Sequence, residues 1–207
     1  QPADGKATIN AAIFVNEVKN MQREINLADP LAGVVQSIRN TADAEIFGIE
    51  IEAQIFLTDN LVFQGNIGRL EGDYKSGSIK FDLNSDGVVN ATDENLQIPR
   101  LAPWTYGAGF IHSMKIAGKE LSTRFQYSHR DDNAYTDNNL GILLGADILD
   151  ASIAMNLGQA TLSLYGQNLL NEVTHGGETQ LPTSIGGGSF APLNKGRVVG
   201  VEIQLGF

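Results

Sequence analysis

The stretch Glu45–Phe56, EIFGIEIEAQIF, decides the fold. Phe47, Ile49, Ile51, Ala53 and Ile55 alternate with Gly48, Glu50, Glu52 and Gln54. A helix would scatter those apolar residues around its axis, whereas a strand places them all on one face. The same period of two recurs along the chain. Ile9, Ala11, Ile13 and Val15 share one face of Lys6–Asn16. Leu61, Phe63, Gly65 and Ile67 oppose Gln64 and Asn66. Leu121, Thr123, Phe125 and Tyr127 oppose Ser122, Arg124, Gln126 and Ser128. Leu149, Ala151, Ile153, Met155 and Leu157 form a further apolar row, followed by Leu162 and Leu164, then Val199, Val201, Ile203, Leu205 and Phe207. Met21–Leu27 and Thr105–Lys115 alternate less cleanly, and with them the pattern predicts nine strands.

The connections alternate in length. Short turns are expected near Glu17–Asn20, Thr58–Asn60, Ala117–Lys119 and Gly158–Gln159. Long loops are expected near Ala28–Asp43, Glu71–Pro103, Asp131–Leu143 and Asn171–Lys195. A soluble sandwich has no reason to keep that rule. An outer-membrane barrel keeps it, with short periplasmic turns and long extracellular loops. The apolar face would meet lipid and the polar face the lumen. Phe14, Phe56, Trp104, Tyr106 and Tyr127 lie near strand ends, where interfacial aromatics belong. The final apolar strand ending in Phe207 has the form of a barrel's terminal strand.

Composition agrees. The 207 residues carry a net charge of −10, which argues against a nucleic-acid partner. Hydrophobic residues make up 42%, enough for a folded chain. There is no cysteine, so disulfides and thiolate chemistry are excluded. No apolar run is long enough for a membrane-spanning helix. A chain that starts at Gln1 without a signal segment reads as a mature product or a fragment.

Several segments, in order, resemble the TonB-dependent outer-membrane receptors in the C-terminal part of their barrel. They are AAIFVNEVKNMQ at 11–22, NTADAEIFGIEIE at 40–52, PRLAPWTYGAGF at 99–110, YTDNN at 135–139, LYGQNLLNE at 164–172 and NKGRVVGVEIQLGF at 194–207. The resemblance implies an all-β, antiparallel up-and-down transmembrane β-barrel in the bacterial outer membrane. Residues 1–207 would supply about nine C-terminal strands of a barrel of about 22. The plug domain would lie outside this sequence. The implied function is active, TonB-dependent uptake of a scarce solute such as a siderophore, vitamin, glycan or peptide. The implied partners are membrane lipid, the TonB complex and the solute, with no enzymatic chemistry. The alternatives are a passive porin and a secreted, calcium-binding β-sandwich that binds carbohydrate.

One motif carries possible metal chemistry. In DLNSDGVVNATDE, residues 82–94 of the loop 71–103, Asp82, Asn84 and Asp86 stand at positions one, three and five of a calcium loop. Gly87 is at six, where the chain turns sharply. Val88 would offer its carbonyl at seven, Asn90 stands at nine and Asp93 at twelve. Calcium takes six to eight hard oxygens, and this spacing wraps them around one point. Asp at twelve resembles the dockerin form of the loop, but there is only one loop here. The expected role is structural, against the alternative of an Asp/Asn/Gly-rich turn with no metal.

Other groups are weaker. Glu50, Glu52, Arg124, Asp150 and Glu202 would face the lumen, as plug or ligand contacts or as ordinary polar lining. Arg130, Asp131, Asp132, Tyr135 and Asp137 could touch ligand or simply be a solvated loop. His112, His129 and His175 lack metal-ligand spacing. SIGGGSF at 184–190 lacks the lysine of a P-loop, and no nucleophile motif supports catalysis. Asn90-Ala-Thr92 matches a glycosylation acceptor but is better used by the calcium reading.

Overall fold

A computed structural model of the protein describes residues 6–84, 86–177, 179–180 and 189–206. In chain order its elements are β1 (Ala7–Asp29), β2 (Gly33–Thr58), β3 (Leu61–Tyr74), α1 (Ala91–Glu94), β4 (Trp104–Ile116), β5 (Lys119–Arg130), β6 (Asn133–Ala134), β7 (Ile142–Leu143), β8 (Ala146–Asn156), β9 (Ala160–Gln167), β10 (Thr179–Gln180), β11 (Ser189–Phe190) and β12 (Val198–Leu205). Eight strands form one sheet in the order β1-β2-β3-β4-β5-β8-β9-β12, with every neighbour antiparallel. The sheet is open, with β1 and β12 at its edges.

The register sorts the side chains into two faces. Ile55, Phe63, Phe110, Phe125, Ala151, Gly166 and Val199 line up across seven strands. The neighbouring row on the opposite face is Gln54, Gln64, Gly109, Gln126 and Asp150. Because the side-chain period is two, a one-residue slip would exchange these rows, so burial of the apolar face in lipid would fix the register. Phe63 and Phe110 pack with ring centroids 5.3 Å apart. Trp104, Tyr106 and Tyr127 lie on the apolar face as expected. Phe14 does not. It pairs with Gly48 on the polar face, and its ring lies where a Gly48 side chain would stand. Phe56 has the same parity as Glu50.

The first hairpin departs from expectation. Lys6–Asn16 and Met21–Leu27 are parts of one strand, which makes eight strands in the main sheet rather than nine. The expected turn at Glu17–Asn20 is a β-bulge, with the register shifting between Val18 and Met21 and again before Gln22. Asn20 takes φ 51°, a conformation Asn tolerates, and a bulge bends a strand without ending it. The expected loop at Ala28–Asp43 is mostly strand. Its reversal is confined to residues 30–32, where the Asp29 carboxylate accepts the Leu31 and Ala32 amides at 2.8 Å each. With eight strands, the start of β1 and the end of β12 lie on the same edge as the short connections 59–60, 117–118 and 157–159. Phe207 and most of the 184–190 segment lie outside the described residues, although Ser189 and Phe190 pair with Gln180 and Thr179.

Among the described residues one apolar core forms. Ala42, Ala44, Tyr74, Leu83 and Ile98 are buried together, flanked by Met21, Ile46, Phe81 and Leu101. Ala42, Ala44 and Ile46 share parity with Glu50 and Glu52. The connection 75–103 therefore folds onto the polar-face side of the β2 and β3 ends, as a cap.

Candidate functional site

The cap begins where β3 ends. Lys75 donates its amide to Asp43 O at 2.8 Å, and Lys80 donates to Thr41 O at 2.7 Å, so the connection first runs beside β2. Phe81 and Leu83 then enter the core, and the polar motif wraps outside it. Asp82 accepts the Asp86 amide at 3.2 Å and the Gly87 amide at 2.8 Å. Asn84 Oδ1 accepts the Asp86 amide at 2.9 Å, and Asp86 Oδ1 accepts the Val88 amide at 2.9 Å. Gly87 takes φ 95°, a left-handed turn that a side chain would strain. Asn90 caps α1 by accepting the Thr92 amide at 2.7 Å.

Asp93 is fully buried. Its Oδ1 accepts the Leu83 amide at 2.9 Å and the Asn84 amide at 3.1 Å, while Oδ2 accepts the Asn90 amide at 2.9 Å. A carboxylate has about four lone-pair directions, and three are used here. Asp93 thus buckles the start of the motif to its end. Among the described residues no three Asp, Glu, His or Cys side chains form a metal-holding group. The remaining oxygens at the motif's ligand positions belong to Asp82, Asn84, Asp86, Asn90 and the Val88 carbonyl, all hard donors of the kind calcium takes. The Val88 and Asn84 hydrogen bonds hold the Asp86 carboxyl below its ordinary value.

The lumenal candidates separate into two groups. Glu50 and Glu52 stand on β2 opposite Gly68 and Asn66, exposed and without an ion pair among the described residues. Arg124 on β5 and Asp150 on β8 come together three and four strands further along the sheet. With Gln126, Ser152, Tyr165 and Gln167 they line a recess of about 270 Å³. Arg124 donates to Gln126 at 3.1 Å, and Asp150 accepts the Asn168 amide at 2.8 Å. Glu202 stands opposite Ser163 at the β12 edge.

The loop candidates also divide. Arg130 donates to Leu144 O at 2.9 Å, and Asp131 bonds His129 Nε2 at 3.0 Å, with Asp132 following on the same turn. Tyr135 instead reaches the cap, and Asp137 reaches β1. Arg100 lies over the Tyr135 ring at 4.6 Å and donates to its hydroxyl at 3.0 Å. Arg23 Nε pairs with Asp137 Oδ1 at 2.7 Å. Sequence reasoning passed over Arg23 and Arg100, because their partners lie 114 and 35 residues away. The three histidines are in separate places. His129 stacks on Tyr106 at 4.5 Å and bonds Asp147, His112 stands opposite Thr123 on the apolar face, and His175 bridges to Leu193.

The family profile described as TonB dependent receptor-like, beta-barrel, matches residues 3–169. The chain belongs to the TonB-dependent receptor family. Solved structures share its fold. The ferric yersiniabactin uptake receptor FyuA from Yersinia pestis superposes with a TM-score of 0.79 at 17% identity, over 98% of this chain and 28% of that one. The siderophore receptor PiuA from Acinetobacter baumannii gives 0.71 at 17% identity, over 97% and 26%. The copper transporter OprC gives 0.67 at 16% identity, over 99% and 30%. No curated protein sequence matches the chain. The chain spans less than a third of the length of these structures, which accounts for the open sheet. Family membership places the protein in the outer membrane. The apolar face therefore meets lipid and the Glu50 face meets the lumen.

Proposed function

We propose that this chain is the C-terminal wall and part of the extracellular cap of an active-transport receptor. A plug from polypeptide outside residues 1–207 would fill the lumen, and the TonB complex would supply energy. The observation that carries this reading is the direction in which the cap folds. Connection 75–103 packs on the lumenal face, above Glu50 and Glu52, whose carboxylates have no counter-charge among the described residues. An open pore needs neither a roof nor unmatched lumenal acids, whereas a plugged receptor supplies partners for both. The solute class that best fits the neighbours' names is a metal chelate, with vitamins, glycans and peptides as other options. The test is uptake of a panel of ferric siderophores by cells carrying the full-length receptor, with and without TonB. Uptake that disappears without TonB is expected, and uptake indifferent to TonB would favour a passive porin.

The cap motif supports a second reading, calcium binding within the extracellular loop. Gly87 makes its turn at position six, and oxygen-bearing side chains stand at one, three, five, nine and twelve. The ion would neutralise Asp82 and Asp86, order the turn and leave Asp93 as its buckle. An extracellular site with a Kd of ~10⁻⁴–10⁻³ M would suffice. Calorimetric titration of the full-length receptor in detergent should give one site in that range, lost in Asp82→Ala. Equal heats from the two proteins would leave the motif as a metal-free turn.

A further inference from the structure

The loop 131–145 is clasped at three places, two on the cap and one on β1. Asn139 Oδ1 accepts the Gln97 amide at 2.6 Å, while its Nδ2 donates to Gln97 O at 3.0 Å. Arg100 donates its amide to Ala134 O at 2.7 Å and lays its guanidinium on Tyr135. Arg23, on the β1 extension, holds Asp137 at 2.7 Å. The first two clasps are neutral hydrogen bonds and a stacked cation. The third is a charge pair, and both of its side chains are about four-fifths buried, at 20% and 18% exposed.

We propose that Arg23 and Asp137 form a proton-responsive latch on the loop 131–145, in which Arg23 is needed only while Asp137 is charged. The surroundings of the pair explain why. Three groups from three elements face Asp137: Arg23 on β1, Arg100 in the cap and the Tyr74 hydroxyl at the end of β3. Tyr74 is 6% exposed, and its hydroxyl makes no hydrogen bond among the described residues. It offers the carboxylate no measured contact, and its own ionisation is pushed up to about 12, by burial first and by Asp137 second. The pocket is therefore poorly solvating for a bare carboxylate, and breaking one side of a buried pair leaves the other uncompensated.

Burial is the largest influence on Asp137 and raises its carboxyl above the ordinary value, with Arg23 and Arg100 offsetting part of that. A carboxyl raised in the docked loop takes up its proton more readily docked than free. Docking is thus favoured as pH falls through the raised value and loses that contribution as pH rises through it. At neutral pH the docked carboxylate depends on Arg23, and in acid it does not. The latch concerns the loop's closure and does not depend on which solute is carried.

The test uses the full-length receptor in outer-membrane vesicles, with one introduced cysteine as its only thiol. Ala134→Cys reports opening, because Ala134 is 1% exposed in the docked loop. Leu140→Cys, at a 70% exposed position, normalises for reagent chemistry at each pH. Leu143→Cys replaces the first probe if that variant does not assemble. At neutral pH, Arg23→Ala should raise the normalised labelling of the buried probe by at least about tenfold, because the buried carboxylate loses its partner. Mild acid, or Asp137→Asn in the same chain, should return it to the parent level. Asp137→Asn alone should label no faster than the parent. An Arg23→Ala effect that is equal at both pH values and unrelieved by Asp137→Asn would make Arg23 a packing residue and overturn the latch. No effect of Arg23→Ala would overturn it as well.

Discussion

The wall and the cap are held together in opposite ways. In the wall, each strand is one layer thick. Phe110, Phe125, Ile153 and Leu164 remain 39–50% exposed, and nothing among the described residues covers them fully. Its internal cohesion is the hydrogen-bonded ladder between antiparallel strands, the kind of internal backbone pairing that a bilayer demands. The apolar face gains its burial from lipid. In the cap the solvent is water, and the chain must make its own interior. Ala42 and Ala44 are completely covered, Leu83 and Ile98 nearly so, and the polar motif is buckled by Asp93. One sequence thus uses two solvents, and the same Leu or Phe means different things on either side of the membrane boundary.

The sharpest way to break that comparison is to put a charge on each face of one strand. Phe125 and Gln126 are adjacent on β5 and point to opposite sides. Phe125→Arg places a guanidinium against hydrocarbon near mid-strand and should cost about 2–4 kcal/mol. Gln126→Arg faces the polar lumen beside Arg124 and Asp150 and should cost well under about 1 kcal/mol. Denaturant titration of the full-length receptor refolded into lipid vesicles would measure both. Similar losses from the two variants would mean that the faces are misassigned.

The wall was legible in the sequence because each of its faces meets a uniform medium. Alternation from Phe47 to Ile55 needed no other information, and the resemblance of the ordered segments placed it in a receptor barrel. The β1 extension was legible only as a separate strand, Met21–Leu27, and the β2 extension reads as part of the loop Ala28–Asp43. Beyond Asn20 charges and apolar residues fall on both faces, and Arg23, Glu24, Ser37 and Ile38 carry no period. The strand there is specified by its pairing partner rather than by its own pattern. The cap was legible as a motif but not as a packing unit. The spacing of Asp82, Asn84, Asp86, Asn90 and Asp93 announced a wrapped turn. That Asp93 would be buried under the Leu83 and Asn84 amides depends on Leu83 entering a core built by Ala42, Ala44 and Tyr74, from strands far earlier in the chain. The Arg23–Asp137 pair, 114 residues apart, has no local signal at all.

A smaller perturbation separates the two regions from the other side. Leu83→Ala removes a side chain that is 5% exposed inside the cap core, next to the amides held by Asp93. Such a truncation costs about 2–5 kcal/mol in a closed interior, from lost transfer energy plus the cavity left behind. The cap is a thin layer on a sheet end and can partly collapse, so a loss near 2 kcal/mol is expected. The loss should be local, because no wall strand depends on Leu83 for its ladder. Hydrogen exchange on the full-length receptor would therefore speed up at the amides of residues 75–103 and leave β4 and β5 unchanged. Ile153→Ala, a truncation of similar size on the lipid face, leaves no cavity, since lipid chains fill the space. Its expected cost is the transfer term alone, with no cavity term added to it. If Leu83→Ala instead loosened the wall as much as the cap, the two regions would be one cooperative unit and the division by solvent would fail.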